Sequence, residues 1–479
     1  MKTGQALVGG RWRDAAARFP VTDPATGETI AEVADCDGRL TVEAVDAAAA
    51  ALPAWRAMPA HERAAIMRRA AELLAGRAGA IGAVMTAEQG KPLAEATGEV
   101  VAGADHLLWA AEETRRVYGE TIPSTSTDTR IWLLPEPVGV VAAITPWNFP
   151  VSMITRKLGP ALAAGCTVVL KPSELTPLSA IAVAECLTEA GFPPGVFNLV
   201  TTARPQEFAE AIMADPRVRK VSFTGSTAVG KNLIRQSADD VKRLSVELGG
   251  HAPVLVFPDA DADVAAAAAG VARSKFMNAG QACTSPNRIY VHESVAAEFT
   301  DELVKLAEEI TVGNGADPGV TMGPLIDDRA LAKVRRHIED ALAHGARLAT
   351  TRGEGPGRLH PPTVLTGVTD EMLLCREETF GPVAPVLTFG DGESTEEVVA
   401  RANATPYGLA AYLWTRDLAR VVRVCEDLQF GIVSVNGAPL APPQGPFGGV
   451  KGSGYGREGG HHGVEDFVEY KYVSVGLGR

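Results

Sequence analysis

The stretch Val138-Gly-Val-Val-Ala-Ala-Ile-Thr145, which runs into Pro146-Trp-Asn-Phe-Pro150, decides the fold of this chain. It begins as an apolar run of strand length, and a helical pattern follows around residues 154–162. Cys166–Leu170 is a second apolar run of strand length, closed by Lys171-Pro-Ser-Glu174. Strands that alternate with helices predict βαβ units and a parallel sheet. Ligands bind beyond the carboxyl ends of such strands, so the stretch also marks a candidate site.

The same alternation continues toward the C-terminus. Strands are predicted at Val196–Val200, Lys220–Phe223 and Leu244–Leu248, with helical patterns between them. Residues 250–440 repeat the alternation and predict a second α/β domain. A chain of 479 residues is too long for one core, so two or three domains are expected.

The regions that flank this alternation have other patterns. Residues 1–35 predict turns and short strands, whereas Thr41 to about Arg116 has helical periodicity. The polar stretch Ser124–Thr129 predicts an exposed hairpin. Gly445–Gly460 is dense in glycine and predicts a loop, and Val464–Val475 predicts a terminal strand that adds to another sheet.

Composition and charge argue against several classes of partner. The net charge is −13 without any basic block, so neither nucleic acid nor an anionic membrane is an expected partner. No apolar run approaches the ~20 residues of a membrane span, and the first residues lack the apolar core of a signal peptide. The six cysteines form no C-x-x-C pair, which fits a reducing cytoplasm.

One cysteine stands in a segment that suits a reactive thiol. Cys283 lies among small and amide residues between Lys275 and Arg288, far from any other cysteine. A thiol in a small-residue loop can act as a nucleophile when a helix N-terminus or a nearby cation lowers its pKa. The alternative is a buried core cysteine, which is the commoner situation for an isolated cysteine.

A glycine-containing turn follows the strand at Lys220–Phe223. The segment from Phe223 to Lys231 opens a helix, and the first N–H groups of that helix suit a phosphate. From Gly225 it nearly matches the triphosphate-binding P-loop, but Asn232 stands where that motif needs a magnesium-binding Ser or Thr. A dinucleotide pyrophosphate site is a second interpretation, and an ordinary turn is the third.

Polar side chains stand at three further strand ends. Glu247 precedes two glycines and could activate water as a general base, or be a surface glutamate before a turn. Asn148 could stabilise an oxyanion or cap the following helix. Lys171 and Glu174 could hold ribose hydroxyls or be a solvated pair.

Two other enzyme classes have weaker support. A cysteine hydrolase needs a histidine base, and nothing in the sequence pairs His251 with Cys283. A metal site at His461-His462 would need a third ligand that is not evident, so no metal is expected.

Together these motifs resemble the aldehyde dehydrogenase superfamily, over essentially the whole chain from Gly9 onward. The resemblance is carried, in order, by Pro146–Pro150, Lys171–Glu174, Phe223–Ser226, Glu247–Gly250, Gly280–Cys283, Glu377–Pro382 and Pro446–Lys451. Four further segments are most similar to succinate-semialdehyde dehydrogenases: Leu52–Arg56, Ile154–Lys157, Gly159–Cys166 and Gly456–Gly459.

The resemblance implies an α/β fold with three parts. A Rossmann-like NAD-binding domain with a parallel sheet is expected from residues 1–117 and 138–249, and an α/β catalytic domain from residues 250–449. A small β oligomerisation element is expected from residues 118–137 and 462–479. Family members are usually dimers or dimers of dimers, so a homodimer or homotetramer is expected.

The resemblance also implies a chemistry, the NAD(P)-dependent oxidation of an aldehyde to the carboxylic acid. Cys283 would attack the aldehyde to give a thiohemiacetal, and Asn148 with the Cys283 N–H would hold the oxyanion. Loss of hydride would leave a thioester, which water activated by Glu247 would hydrolyse. The residues expected to hold the cofactor are Trp147, Lys171, Glu174, Gly225, Ser226, Leu248, Glu378 and Phe380.

The choice of cofactor depends on Glu174, which falls where family enzymes contact the adenosine ribose. A carboxylate accepts hydrogen bonds from a free ribose hydroxyl and repels a 2′-phosphate. We therefore expect NAD to be preferred over NADP.

The substrate pocket departs from the most similar enzymes of the family. Succinate-semialdehyde dehydrogenases hold the distal carboxylate with two arginines and a serine. Arg156 matches one arginine, whereas Met277 and Ala441 occupy the other two positions. Charge-assisted bonds contribute roughly 1.5–3 kcal/mol each, so their loss predicts weak binding of a carboxylated semialdehyde. The expected substrate is a semialdehyde-like or a less polar aliphatic or aromatic aldehyde; a true succinate-semialdehyde dehydrogenase with a replaced anchor, for instance Arg288, is the alternative.

Overall fold

The structure, a computed structural model, describes residues 4–351, 353, 355–437 and 441–478. Its first part is mostly helical and ends in a hairpin. The elements are β1 (Ala6–Val8), β2 (Arg11–Arg13), β3 (Arg18–Thr22), β4 (Thr29–Ala34), α1 (Gly38–Ala57), α2 (Ala60–Gly76), α3 (Ala78–Gln89), α4 (Leu93–Glu113), β5 (Glu120–Ile122) and β6 (Thr129–Pro137).

Strands and helices alternate strictly in the next part of the chain. The elements are β7 (Val140–Ile144), α5 (Ser152–Ala164), β8 (Thr167–Lys171), α6 (Pro177–Ala190), β9 (Phe197–Leu199), α7 (Pro205–Ala214), β10 (Val218–Thr224), α8 (Thr227–Gln236) and β11 (Arg243–Glu247). This alternation confirms the βαβ pattern predicted from the stretch that begins at Val138.

The remaining part again alternates and ends in a long strand. The elements are β12 (Ala252–Val256), α9 (Val264–Phe276), β13 (Pro286–His292), α10 (Glu293–Glu309), α11 (Asp328–Ala343), β14 (Arg347–Leu348), β15 (Thr363–Thr366), α12 (Leu373–Arg376), β16 (Val383–Phe389), α13 (Thr395–Asn403), β17 (Ala410–Trp414), α14 (Leu418–Asp427), β18 (Ile432–Val435), β19 (Gly454–Tyr455), α15 (Gly460–Glu465) and β20 (Val468–Gly476).

The first sheet has the strand order β19-β11-β10-β7-β8-β9-β1-β2 within the described residues. Its five central strands run parallel, and antiparallel strands lie at both edges. The chain builds β7, β8 and β9 in one direction and then returns to place β10 on the other side of β7. This reversal is a topological switch point, where the loops after β7 and β10 flank a crevice.

Helices cover this sheet because their apolar residues recur at helical spacing. In α2, Ile66, Met67, Ala70 and Leu74 are buried, and the helix packs against α4 and α6. α5 lies wholly in the interior and packs against α4. The helical periodicity predicted between Thr41 and Arg116 is thus confirmed, and its apolar face accounts for the layer that encloses the sheet.

The second sheet has the order β14-β15-β16-β13-β12-β17-β18, parallel except at β14. β12, β13 and β17 are buried along their whole length, as expected for parallel strands with helices on both faces. The two large parallel sheets confirm the predicted α/β fold class.

A third sheet of three strands, β20-β6-β5, stands apart from both large sheets. β6 and β20 pair antiparallel from Thr129–Gly476 to Pro137–Val468, and β5 joins the other edge of β6. The exposed hairpin predicted around Ser124–Thr129 is confirmed, because residues 123–128 connect β5 to β6.

Two predictions near the C-terminus were only partly right. Gly445–Gly460 was predicted as a loop, yet it contains β19, which pairs antiparallel with the edge strand β11. The terminal strand begins at Val468 and not at Val464, because α15 occupies residues 460–465. In the part of the chain that the structure describes, no helix combines the length and apolar character needed to cross a membrane.

Candidate active site

A cleft of about 440 Å³ lies at the switch point of the first sheet, and loops of the second sheet form its other wall. The predicted site residues that line it are Trp147, Asn148, Glu174, Gly225, Ser226, Leu248, Cys283, Glu378 and Phe380. They come from the ends of β7, β8, β10 and β11 on one side and from residues after α9 and α12 on the other. The structure therefore brings together residues that are more than two hundred positions apart in the chain.

The amide of Asn148 and the thiol segment meet inside this cleft. Pro146 follows β7, and Asn148 is buried just beyond it. Its Nδ2 donates a hydrogen bond to the main-chain oxygen of Gln281, two residues before Cys283, at 3.0 Å. An amide nitrogen carries two protons, so the second remains for an oxygen atom bound beside the thiol.

Gly250 allows the two walls of the cleft to touch. A Cβ atom at Gly250 would lie 2.1 Å from the carbonyl oxygen of Cys283, so no larger residue fits there. The Gly250 N–H donates to Glu378 Oε1 at 2.8 Å. The two glycines after Glu247 thus serve a close approach between the strand end and the thiol segment.

The resting thiol is not ionised, contrary to the expectation of a lowered pKa. Burial raises the pKa of Cys283 to about 12, and the carboxylates of Glu378 and Glu247 raise it further, while Arg156 acts in the opposite direction. The half-buried thiol sits among more negative than positive groups. Its deprotonation must therefore be coupled to a base at the moment of attack.

Two buried carboxylates, Glu247 near the thiol and its neighbour Glu458, have opposite pKa shifts. Burial and the neighbouring Glu458 raise the pKa of Glu247 well above its usual value. Burial also acts to raise the pKa of Glu458, but Lys157 and Arg156 outweigh it and lower that pKa. Lys157 Nζ lies 2.6 Å from Glu458 Oε1. Glu458 therefore keeps its charge, and Glu247 is the group poised to exchange a proton.

The opposite end of the cleft has the features of a dinucleotide site. Gly225 and Ser226 lie between β10 and α8, and the Ser226 hydroxyl accepts a hydrogen bond from Val229 N at 3.4 Å. The N-terminus of α8 thus opens beside the cleft, where backbone N–H groups favour an anion. Lys171 Nζ, buried at the end of β8, lies 3.3 Å from Glu174 Oε2.

Two aromatic rings and a carboxylate form the end nearer the thiol. The rings of Trp147 and Phe380 meet edge to face at 5.8 Å. Phe380 has a left-handed backbone, with φ of 55°, which turns its ring toward Trp147. Burial raises the pKa of Glu378 to about 7.

These residues fit a nicotinamide dinucleotide. The buried hydroxyl of Thr224, which lines the cleft, has no hydrogen-bond partner among the described residues. A Cβ atom at Gly249 would come within 3.1 Å of Glu378 Oε2, so a larger residue at position 249 would crowd the Glu378 carboxylate. An unsatisfied donor beside a helix N-terminus, with a carboxylate at each end, suits phosphates flanked by two riboses.

The three predicted substrate residues lie outside the lining of this cleft. Arg156 is buried, with Nε 3.1 Å from Glu458 Oε2 and its guanidinium 3.9 Å above the ring of Phe447. Its Nη2 has no hydrogen-bond partner among the described atoms. Met277 is 38% exposed, and Ala441 is exposed at the start of the last described segment.

Several candidate functional side chains were missed by sequence reasoning. Arg329 and Lys333 line the cleft from α11, and both are cations suited to the phosphates of a dinucleotide. Their i, i+4 spacing places them on one helix face, but periodicity cannot tell which face meets a ligand. Lys157 and Glu458 belong to quoted motifs, yet only the structure pairs them.

The other enzyme classes find no support in this geometry. Neither ring nitrogen of His251 has a hydrogen-bond partner within the described part of the chain, so it is not paired with Cys283. Burial and the nearby Arg288 hold the pKa of His251 well below its usual value. No group of three or more His, Cys, Asp or Glu side chains in the described residues is placed to hold a metal ion.

Comparison with known proteins agrees with the geometry. The aldehyde dehydrogenase family model matches residues 12–473. The NADP(+) succinate-semialdehyde dehydrogenase GabD of Escherichia coli (strain K12) is 49% identical over 477 residues, 99% of this chain and 98% of that protein. The 3-sulfolactaldehyde dehydrogenase of Pseudomonas putida is 49% identical over 98% of this chain and 97% of its own length. The crystal structure of an aldehyde dehydrogenase from Brucella melitensis biovar abortus 2308 matches with a TM-score of 0.97 at 48% identity, covering 100% of this chain and 98% of that one.

This chain belongs to the aldehyde dehydrogenase family. It is an oxidoreductase that acts on aldehydes with NAD(P), and the resemblance inferred from its motifs is confirmed. The P-loop interpretation of residues 225–231 has no support from the family match, and Asn232 had already argued against it.

The raised pKa of Cys283 predicts how its reactivity depends on pH. Because the thiol titrates near 12, the thiolate fraction should rise about tenfold per pH unit between pH 7 and 9. The rate of alkylation by iodoacetamide in the free enzyme should follow the same slope. Labelling of Cys283→Ser gives the contribution of the other thiols, and a plateau of the corrected rate below pH 8 would contradict the raised pKa.

Proposed function

We propose that Cys283, Asn148 and Glu247 carry the oxidation of the aldehyde, with Cys283 as nucleophile. The observation that supports this most directly is their convergence. The thiol and the amide line one cleft, and the Glu247 carboxylate is close enough to raise the pKa of the thiol. Glu247 Oε2 is buried without a hydrogen-bond partner among the described residues, so it is free to accept a proton.

In the first step, Cys283 Sγ forms a bond to the aldehyde carbon while its proton passes to Glu247. The aldehyde oxygen becomes an oxyanion, which accepts hydrogen bonds from the free N–H of Asn148 Nδ2 and from the Cys283 main-chain N–H. The hydrogen bond from Asn148 to Gln281 holds the amide in this direction before substrate arrives. A raised pKa suits Glu247 to the transfer, because it makes the carboxylate a stronger proton acceptor.

When bound, the nicotinamide of NAD(P) supplies the acceptor for the hydride of the thiohemiacetal. Cys283 then holds the acyl group as a thioester. Glu247 releases the thiol proton to solvent and then takes a proton from water, and the resulting hydroxide attacks the thioester carbon. The carbon–sulfur bond breaks, the carboxylic acid leaves, and the proton on Glu247 restores the thiol.

We also propose that NAD is preferred over NADP. The support is the carboxylate of Glu174, which lines the dinucleotide end of the cleft. Lys171, the cation paired with it, is buried and already engaged by that carboxylate at 3.3 Å, so it is not free to hold a 2′-phosphate. A carboxylate repels such a phosphate and accepts a hydrogen bond from a ribose hydroxyl.

Replacing Glu174 by glutamine should shift the choice of cofactor. We expect the ratio of kcat/KM for NADP to that for NAD to rise at least tenfold, about 1.4 kcal/mol, because a repulsion is removed. Glu210→Gln on α7, an exposed position, removes the same charge away from the cleft and should leave the ratio unchanged. Equal kcat/KM for the two cofactors in the unaltered enzyme would contradict the proposal.

The substrate that we propose is an aldehyde with a largely apolar tail. Of the three positions that hold a carboxylate in succinate-semialdehyde dehydrogenases, two are occupied here by Met277 and Ala441. The third, Arg156, already has the Glu458 carboxylate at 3.1 Å, so its charge is compensated without substrate. An apolar tail loses less on entering such a pocket than a carboxylate does.

A carboxylated or sulfonated aldehyde is the second candidate. Arg156 Nη2 is buried without an acceptor among the described atoms, and such a donor favours an acceptor group on the substrate. The relatives at 49% identity are named for succinate semialdehyde and for 3-sulfolactaldehyde.

Steady-state formation of NADH separates these candidates. We expect an uncharged aldehyde of similar length to exceed succinate semialdehyde in kcat/KM by at least tenfold. Cys283→Ala should form no NADH from either aldehyde, which shows that the signal comes from the site. If succinate semialdehyde were the better substrate, the apolar proposal would be wrong and Arg156→Leu would abolish the preference.

We propose further that the chain forms a homodimer or homotetramer through the three-stranded sheet. Trp132 and Leu134 lie on one face of this sheet and are about two-fifths exposed, and Tyr472, opposite Leu133 on the other face, is 61% exposed. Apolar side chains on a sheet face favour burial against a partner.

We also propose a cytoplasmic location, which the six free cysteines support and which cell fractionation with an activity assay can test.

A charge on this face should weaken the association. Trp132→Asp is expected to reduce the mass found by sedimentation equilibrium at micromolar concentration, because a carboxylate would be buried without a partner. Leu418→Asp on α14, which is also highly exposed in the single chain, should leave the mass unchanged. A monomeric unaltered protein would contradict the proposal at once.

A further inference from the structure

The Asn148 amide and the Cys283 thiol, which would flank the reacting carbon, lie on separate segments, and one buried asparagine contacts the main chain of both segments. Asn278 Nδ2 donates to the main-chain oxygen of Asn148 at 3.0 Å and to that of Gln281 at 3.3 Å. Its Oδ1 accepts a hydrogen bond from Gln89 Nε2 at 2.9 Å. Asn278 is 2% exposed, so water does not replace these bonds.

The backbone around Asn278 is held in a rare conformation. Asn278, Ala279 and Gly280 have successive φ values of 50°, 53° and 71°, all in the left-handed region. Asparagine tolerates this region better than most residues, but Ala279 does not. The Asn278 N–H donates to Glu95 Oε2 at 3.0 Å, and its carbonyl accepts from Gln281 N at 3.0 Å. These bonds keep the strained turn that leads to Cys283 in place.

The peptide of Asn148 is fixed from the other side by a buried lysine. Lys91 Nζ donates to the Asn148 main-chain oxygen at 2.8 Å and pairs with Glu99 Oε2 at 2.5 Å. Asn148 Nδ2 in turn donates to Gln281 O. Asn148, Asn278 and Gln281 therefore form a closed triangle of hydrogen bonds, which joins the end of β7 to the turn before Cys283.

We propose that Asn278 is a positioning residue, which holds the Asn148 amide against the Cys283 segment at the place where the oxyanion forms. This inference rests on the proposed role of Asn148. An oxyanion donor works only when it is aimed in advance, and a misplacement of about 1 Å can cost on the order of 10²-fold in rate. Asn278 does not touch the substrate; it acts through Asn148.

Asn278→Asp is the most direct test, because it keeps the shape and removes the two donors. We expect kcat to fall tenfold to hundredfold while KM for the aldehyde stays within threefold. The reason is that the misplaced Asn148 amide would lose a hydrogen bond made to the oxyanion in the transition state and not to the bound aldehyde. A purely structural defect would lower the amount of folded enzyme without this split.

The chain offers a closely matched control at Asn198. Its Nδ2 donates to Val168 O at 3.3 Å and to Gly195 O at 2.8 Å, and its Oδ1 accepts from Gly9 N at 2.9 Å. It is as fully buried as Asn278 but lies in β9, away from the cleft. Asn198→Asp should lower the melting temperature and leave kcat per folded enzyme within twofold.

A double-mutant cycle decides whether Asn278 acts through Asn148. In the background of Asn148→Ala, where the amide is gone, Asn278→Asp should change kcat by less than threefold. Two results would overturn the positioning role. In the first, the two substitutions lower kcat independently, so that their fold-losses multiply in the double variant. In the second, Asn278→Asp has a normal kcat although Asn148→Ala is impaired. If the aspartate variant does not fold, Asn278→Gly tolerates the left-handed backbone and carries the same expectations.

The same variants distinguish an error in the role of Asn148 from an error in the role of Asn278. A full rate in Asn148→Ala would contradict the oxyanion role of Asn148 itself, whatever Asn278→Asp does. An impaired Asn148→Ala with additive effects would leave that role intact and remove only the role of Asn278.

Discussion

The candidate active site depends on one contact between segments of the two large sheets, the hydrogen bond from Asn148 Nδ2 to the main-chain oxygen of Gln281. The amide belongs to the loop after β7 of the first sheet, and the carbonyl belongs to the turn that precedes Cys283 and β13 of the second. Neither segment could form the site alone. The buried bonds from Asn278 and Lys91 to the Asn148 carbonyl make this contact rigid, and Gly250 lets the Cys283 carbonyl approach the end of β11.

The surroundings of the buried ionisable groups give them different pKa values, although the sequence does not distinguish them. Burial raises the pKa of the thiol and of Glu247, so the thiol holds its proton more tightly and the Glu247 carboxylate is a stronger proton acceptor. Glu458 is buried as deeply but has Lys157 and Arg156 beside it, and its pKa is lowered. The same cations act on both glutamates, but only Glu458 forms ion pairs with them, to Lys157 at 2.6 Å and to Arg156 at 3.1 Å. The ion pair with Glu458 also compensates the charge of Arg156.

The position of the proposed cofactor end of the cleft is set by the strand order of the first sheet more than by any single side chain. The chain reverses its direction of sheet building between β9 and β10, and this opens a crevice at the ends of β7 and β10. The turn at Gly225–Ser226 and the N-terminus of α8 face that crevice, while Glu174 comes from the neighbouring strand end.

The sequence by itself determined the alternation of strands and helices, because apolar periodicity and turn residues are local properties that each segment carries. It also indicated the motifs at the strand ends, since parallel strands must place them at one edge. It did not show the edge strand at Gly454–Tyr455, the cations of α11 or the triangle around Asn278, because these arise only when distant segments meet. The pKa of Cys283 was expected to be low and is raised instead. Only the tertiary structure could decide that, since a pKa depends on burial and on the charges that folding brings within a few ångströms.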